Sequence, residues 1–323
     1  MPDKRPLSLI ILQSKLPSET HDETKMKPCT DPLPMTLDLK EMIRMSRLND
    51  NILSVSLLSV VSGLAVRPHA WTEWIHSPPF LAATLMLHLM TSASMILNDI
   101  QDYEVDCINN PQRPLVMGTV TEKDANVAVI TLFSMYTYLA LQYLPPVLDP
   151  IWSSALIMIT IYTPLLKKIC FVKNLACAST IASSVPFVGW SVINPLETGL
   201  PDFHWLLLTT RIVFTTSLFI EMMLDITDKD GDKVSGIPTV PVVFGEPTTI
   251  GILIGIVSTS LWISMTESRD PAELGMILVT YLPLYFHMYR VDKDAYRKDT
   301  ILNVVKLTTV QLGAYLIMMV SHQ

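Results

Sequence analysis

Two short stretches of this chain set acidic residues at helical spacing. LNDIQDYEVD, residues 97–106, holds Asn98, Asp99, Asp102 and Asp106, and IEMMLDITDKDGDKVSG, residues 220–236, holds Asp225, Asp228 and Asp232. In each, the aspartates step by three and then four residues, and Asn98 precedes Asp102 by four, so at about 100° per residue they line one helical stripe. Each aspartate of the second stretch follows its counterpart by 126 residues. Carboxylates one turn apart repel one another and raise each other's pKa values, a cost that a multivalent cation removes. Mg2+ suits such a stripe because it prefers oxygens, takes one or two carboxylates per ion and keeps positions for water and substrate phosphates. The implied chemistry is metal-bridged capture of a diphosphate. Glu104 points away from the stripe and Asp230 falls off it, as solvated residues would. Glu221 lies one turn deeper and reads equally as support for the site or as structure.

Basic residues follow on the same side. Arg113 lies in NNPQRPLVMG just after the first stripe, and Lys167, Lys168 and Lys173 lie in a later loop. Carboxylates, divalent ions and bases would form alternating shells around a phosphate ester. The same residues also have a plainer use as topology signals.

The elements that must carry these stripes are apolar. Of 323 residues, 50% are hydrophobic and 16% charged, with 18 Met, far from the balance of a soluble domain. Segments of about 17 to 25 apolar residues fall near 52–68, 78–97, 125–144, 150–166, 174–194, 203–224, 248–265, 273–289 and 301–320. Backbone in lipid must satisfy its own hydrogen bonds, so the expected fold is all-α: a polytopic membrane protein of about nine transmembrane helices. Pro164, Pro186 and Pro283 suggest local kinks. The loops rich in Lys and Arg place the N-terminus and both acidic stripes on the cytosolic side, although which membrane is not encoded. Residues 1–38, polar and without periodicity, read as a disordered leader; residues 39–323 read as one transmembrane domain of two pseudo-repeated halves. Cys29, Cys107, Cys170 and Cys177 show no paired spacing and are expected as unpaired thiols. The net charge of −7 is concentrated in the stripes, and no nucleic-acid partner is expected.

NDIQDYEVD followed by INNPQRPLVMG, together with DITDKDGDKVSGIPTVPVVFG, resembles the two signature regions of the UbiA-type intramembrane prenyltransferase superfamily. The resemblance runs from about residue 40 to the C-terminus. IYTPLLKK, residues 161–168, is similar to the Tyr and Lys segment of that family, leaving Lys167 and Lys168 as alternatives, and Arg47 in MSRLNDN sits where the family often has a basic residue. The resemblance implies a helical bundle whose central cavity holds an isoprenyl diphosphate, with its head on Mg2+ and its tail among apolar side chains. It implies a metal-diphosphate site of Asn98, Asp99, Asp102, Asp106, Asp225, Asp228 and Asp232, with Asp102, Asp106, Asp228 and Asp232 at its catalytic centre. Arg113, Tyr162, Lys167 or Lys168, and Arg47 would hold the diphosphate. Besides membrane lipid, the implied partners are that diphosphate and an unidentified acceptor, aromatic or lipid-like. The alternative on the same scaffold is a terpene cyclase that folds one prenyl chain onto its own cation. An ion-coupled transporter fits less well, because transport sites sit near the bilayer midplane on broken helices and these stripes sit at helix ends. Arg211, a charge inside the sixth span, has no partner that the sequence reveals.

Overall fold

The computed structural model describes residues 39–162, 164–193 and 201–322, so the leader expected over 1–38 lies outside the described residues. The chain is all-α, with no strand among the described residues. In chain order the helices are α1 (Leu39–Ser46), α2 (Leu48–Leu64), α3 (Trp71–Trp74), α4 (Pro78–Gln101), α5 (Tyr103–Asn109), α6 (Glu122–Tyr143) and α7 (Asp149–Tyr162). The second half holds α8 (Val172–Ser191), α9 (His204–Val234), α10 (Val240–Phe244), α11 (Glu246–Glu267), α12 (Pro271–Lys293) and α13 (Lys298–His322).

Each of the nine expected apolar segments falls on a helix. Among the described residues five helices, α4, α6, α9, α11 and α13, are long and apolar enough to cross a membrane by themselves, or six if α2 and the helical stretch Pro68–Trp74, bent by 112°, count as one span. Polar residues dilute others: α8 carries Lys173, Asn174 and several serines, and α12 begins near Glu273 and ends in Arg290 and Lys293. Large apolar side chains such as Ile130, Leu141, Trp262, Phe286 and Val310 stay exposed on the outer surface, which suits a bilayer and not water.

Helix ends follow local chemistry. At the start of α4 the Ser77 side chain accepts from the Phe80 amide and Pro78 occupies the first turn, where its missing N–H costs nothing. Helix α9 has 31 residues, on the order of 46 Å at 1.5 Å per residue, against a hydrocarbon core of roughly 30 Å. Its last turns, which carry Asp225, Asp228 and Asp232, therefore emerge at the membrane boundary. The helix stops at Gly236, φ 70°, where the Ile237 amide reaches the Asp232 carbonyl at 2.8 Å and the Gly236 amide reaches that of Lys233 at 3.4 Å. That pairing is a Schellman motif, and the left-handed residue it needs is glycine.

Packing places the two stripes at one end of the bundle. Helix α4 packs along α6, α8 along α9, and α2 lies against α4, α8 and α13. The main core includes Trp74, Phe219, Met222, Tyr281 and Tyr315. A second apolar cluster, with Met45, Ile100, Tyr103, Leu115, Val116 and Val120, anchors the loop after the first stripe and so fixes Arg113. Of the four cysteines expected as unpaired, Cys170 and Cys177 are free and Cys29 lies outside the described residues.

One close approach is testable. A Cβ on Gly63 would lie 2.6 Å from the ring of Trp74, which is 2% exposed, donates from Nε1 to the Arg67 carbonyl at 2.8 Å and meets Phe80 edge-on. Overpacking of this kind costs about 1–3 kcal/mol. Gly63→Ala should lower the melting temperature in detergent, whereas Gly251→Ala, where a Cβ meets nothing within 4 Å, should leave it unchanged.

Candidate functional site

The first acidic stripe is split between two helices. Helix α4 ends at Gln101 and Asp102, at φ −97° and ψ 11°, joins it to α5. The expectation of one continuous helix is corrected there, yet the hydrogen-bond ladder survives: the Asp102 amide reaches the Asn98 carbonyl and the Asp106 amide reaches that of Asp102, both at 2.8 Å. Asp99 and Asp106, each 3% exposed, turn toward Arg113. Its Nη1 donates to Asp99 and to Asp106 Oδ2, the latter at 2.6 Å. Asn110 Nδ2 adds a bond to Asp106 Oδ1 at 3.0 Å. Burial pushes the Asp106 carboxyl above its ordinary range, while Asn110 and Arg113 pull it down. Asp102 faces another way, and Lys167 Nζ reaches both its oxygens at 2.6 Å.

Arg47 also reaches this stripe. It lies between α1 and α2 at φ 51° and ψ 26°, left-handed backbone that costs an L-residue roughly 1–2 kcal/mol. Its Nη2 donates to Asp99 Oδ1 at 3.2 Å. The strained turn therefore aims a guanidinium at a buried carboxylate. Of the two alternatives Lys167 and Lys168, Lys167 lies on Asp102 and Lys168 is exposed. Asn98 is half-buried one turn before Asp102.

The second stripe is held differently. Asp225, 6% exposed, is bound by Lys173 Nζ at one oxygen and by Asn174 Nδ2 at the other, at 2.9 Å. Asp228 is exposed and accepts from the Thr227 hydroxyl at 3.2 Å; Asp232 is half-buried and Asp230 exposed. Lys229 bridges to Glu246 at 2.7 Å and ties the end of α9 to the start of α11. Glu221, one turn deeper than Asp225, is hydrogen-bonded to Cys177 and lies within electrostatic range of Lys173. Tyr162, at the end of α7, lies within electrostatic range of Glu221 and Asp225 on one side and of Asp102 on the other.

Sequence reasoning placed Lys173 among the nearby bases without assigning it to the site, and passed over Asn174 altogether. The available signal was a Lys-Asn pair at the mouth of an apolar segment, where an uncompensated polar residue is costly. Among the described residues no three His, Cys, Asp or Glu side chains converge as a protein-only metal cage. The arrangement is instead two half-sites of hard oxygen donors, each with bases on it. Such a site can trade its internal ion pairs for metal ions and a polyanion.

The comparisons with known proteins agree with this architecture. Residues 56–309 match the UbiA prenyltransferase family. The chain is 33% identical over 193 residues to a digeranylgeranylglyceryl phosphate synthase of Sulfolobus acidocaldarius, covering 57% of this chain and 66% of that protein. It is 28% identical over 261 residues to one of Methanococcus aeolicus, covering 77% of this chain and 82% of that protein. Among solved structures, one of a digeranylgeranylglyceryl phosphate synthase in membranes superposes with a TM-score of 0.68 at 19% identity, over 88% of this chain and 97% of that one. A UbiA homologue from Archaeoglobus fulgidus bound to GPP and Mg2+ superposes with a TM-score of 0.63 at 15% identity, over 87% and 99%. The chain belongs to the UbiA prenyltransferase family and is a multi-pass membrane prenyltransferase.

The Lys173–Asp225 pair offers a test of this geometry. Removing one partner of a buried ion pair strands the other charge, at about 3–5 kcal/mol. Lys173→Met should therefore lower the melting temperature in detergent, and adding Asp225→Asn should restore part of the loss, because Asn174 can still bond an amide. A double variant no more stable than Lys173→Met would show that the pair is not coupled.

Proposed function

We propose that this protein transfers an isoprenyl group from an isoprenyl diphosphate to an acceptor inside the membrane, in a Mg2+-dependent reaction. The observation that carries this reading is the placement of two carboxylate stripes at one end of one bundle, each faced by bases, with Tyr162 within electrostatic range of both. The donor set fits Mg2+: Asn98, Asp99, Asp102, Asp106, Asp225, Asp228 and Asp232 offer hard oxygens but no complete cage, which suits an ion that leaves positions for water and phosphate. When bound, Mg2+ supplies positive charge to the leaving diphosphate. Two pseudo-repeated halves of a single membrane domain would each contribute one stripe, on the cytosolic side by the distribution of basic loops.

The residues then divide the work. Arg113, Lys167 and Arg47 now neutralise carboxylates, and on loading they would turn to the diphosphate oxygens, where guanidinium and ammonium donors are strongest. Tyr162 can donate its hydroxyl to the same group. Cleavage of the C1–O bond sends the electron pair out with the diphosphate and leaves an allylic cation. The apolar bundle keeps water from it. An acceptor nucleophile bonds to C1 and loses its proton. The glyceryl phosphate named in the relatives' activity favours a lipid-like acceptor over an aromatic one.

Purified protein incubated with allylic diphosphates of several lengths and Mg2+, with and without membrane extract, should yield a prenylated adduct only when extract is present. An acceptor-free hydrocarbon would instead indicate cyclisation. Asp102→Ala or Asp228→Ala should abolish turnover while the protein remains folded in membranes, and full turnover in chelator would contradict the metal role. A second prediction separates binding from topology. Loss of a charge-assisted contact costs about 1.5–3 kcal/mol, so Arg113→Lys should lower turnover efficiency about tenfold or more, although it keeps the positive charge. Lys167→Ala should do the same and Lys168→Ala should not; equal effects of the two lysines would contradict the assignment.

A further inference from the structure

A second polar site lies at the far end of the bundle. A cavity of about 890 Å³ opens between the later turns of α8, the first turns of α9 and the end of α11, and its lining includes Ser183, Asp202, Leu207, Arg211, Glu267 and Arg269. Arg211 precedes Asp225 by 14 residues on α9, about 21 Å along the axis. The cavity is thus at the opposite membrane face from the acidic stripes and too far away to touch a reacting carbon there.

Its charges come in opposite pairs. Arg211 Nη2 donates to Glu267 at 2.7 Å and its Nη1 to Ser264 at 3.4 Å. Arg269 holds Asp202 with both terminal nitrogens, one of them at 3.1 Å. Two guanidiniums and two carboxylates near the mouth of one cavity sum to zero, so they hold no net charge to draw a simple anion or a simple cation. They favour a ligand that carries both signs. The lining then turns apolar: Leu207, 60% exposed, and Phe214 lead from the polar mouth along the span. Aromatic rings mark the same level, with Trp190 stacked on Phe203 at 5.4 Å and His204 edge-on to Trp205, as rings do at a headgroup boundary. The volume lies in the range of small-ligand sites.

We propose that this cavity is a binding site for one zwitterionic phospholipid, its phosphate toward Arg211 and Arg269, its ammonium toward Glu267 and Asp202, and its chain along Leu207 and Phe214. The paired charges explain how an arginine is kept inside a span: Arg211 has a carboxylate partner at the membrane boundary, and the headgroup would complete the polar layer around them.

Native mass spectrometry of the detergent-purified protein, titrated with phosphatidylethanolamine and phosphatidylglycerol of identical chains, tests this. One phosphatidylethanolamine per chain should bind saturably, at least tenfold more tightly than phosphatidylglycerol. The double variant Arg211→Gln/Glu267→Gln removes both charges without stranding either and should weaken that binding at least fivefold. Ser183→Phe narrows the cavity, keeps every charge and should also weaken the binding, which decides the matter if the double variant does not fold. Equal affinity for the two lipids, preference for phosphatidylglycerol, no saturable adduct, or unchanged binding in Ser183→Phe would each overturn the proposal.

Discussion

Holding six aspartates at one boundary of a membrane domain is the constraint on which the rest of this structure depends. Bare carboxylates at that depth are expensive, and at one-turn spacing they also repel one another. The protein compensates them from distant parts of the chain. Arg113 arrives on a loop anchored by Leu115, Val116 and Val120, Lys167 on the turn after α7, Arg47 from a strained junction, and Lys173 with Asn174 from the first turn of α8. Each of these elements is positioned by apolar packing, so the core of the bundle is what keeps the charges registered.

The two halves solve the same problem unequally. In the first, two guanidiniums converge on Asp99 and a lysine takes Asp102. In the second, a buried lysine and an amide hold Asp225, while Asp228 remains exposed at the end of an uninterrupted helix. A break in the helix at Asp102 turns that residue toward Lys167 and lets its neighbours face Arg113. The second stripe has no such break and keeps its aspartates on one helical face.

Much of this was legible in the sequence because it is local. Spacing by three and four put the aspartates on helical faces, and apolar runs located the helices on which they sit. Arg113 was read from its place after the first stripe and Tyr162 from motif likeness; Arg113 bonds Asp99 and Asp106. What was not legible depends on separation in space. The bond of Lys167 to Asp102 spans 65 residues, the partner of Arg211 lies 56 residues away, and Asn174 looked like one more residue of an apolar segment. The break at Asp102 could not be read either, since periodicity continues straight through it. The helix count was legible only to the extent that apolarity is even, and α8 and α12 dilute it with polar residues that their neighbours satisfy.

The central claim is that both stripes serve one metal-diphosphate site. Electron paramagnetic resonance with Mn2+ in place of Mg2+ and a non-cleavable thiolo analogue of a prenyl diphosphate tests it most directly. The account predicts at least two bound ions per chain, dipolar-coupled to each other in the presence of the analogue, with Asp102→Asn and Asp228→Asn each removing the coupling. Ions that bind without mutual coupling, or a coupling unaffected by Asp228→Asn, would contradict it.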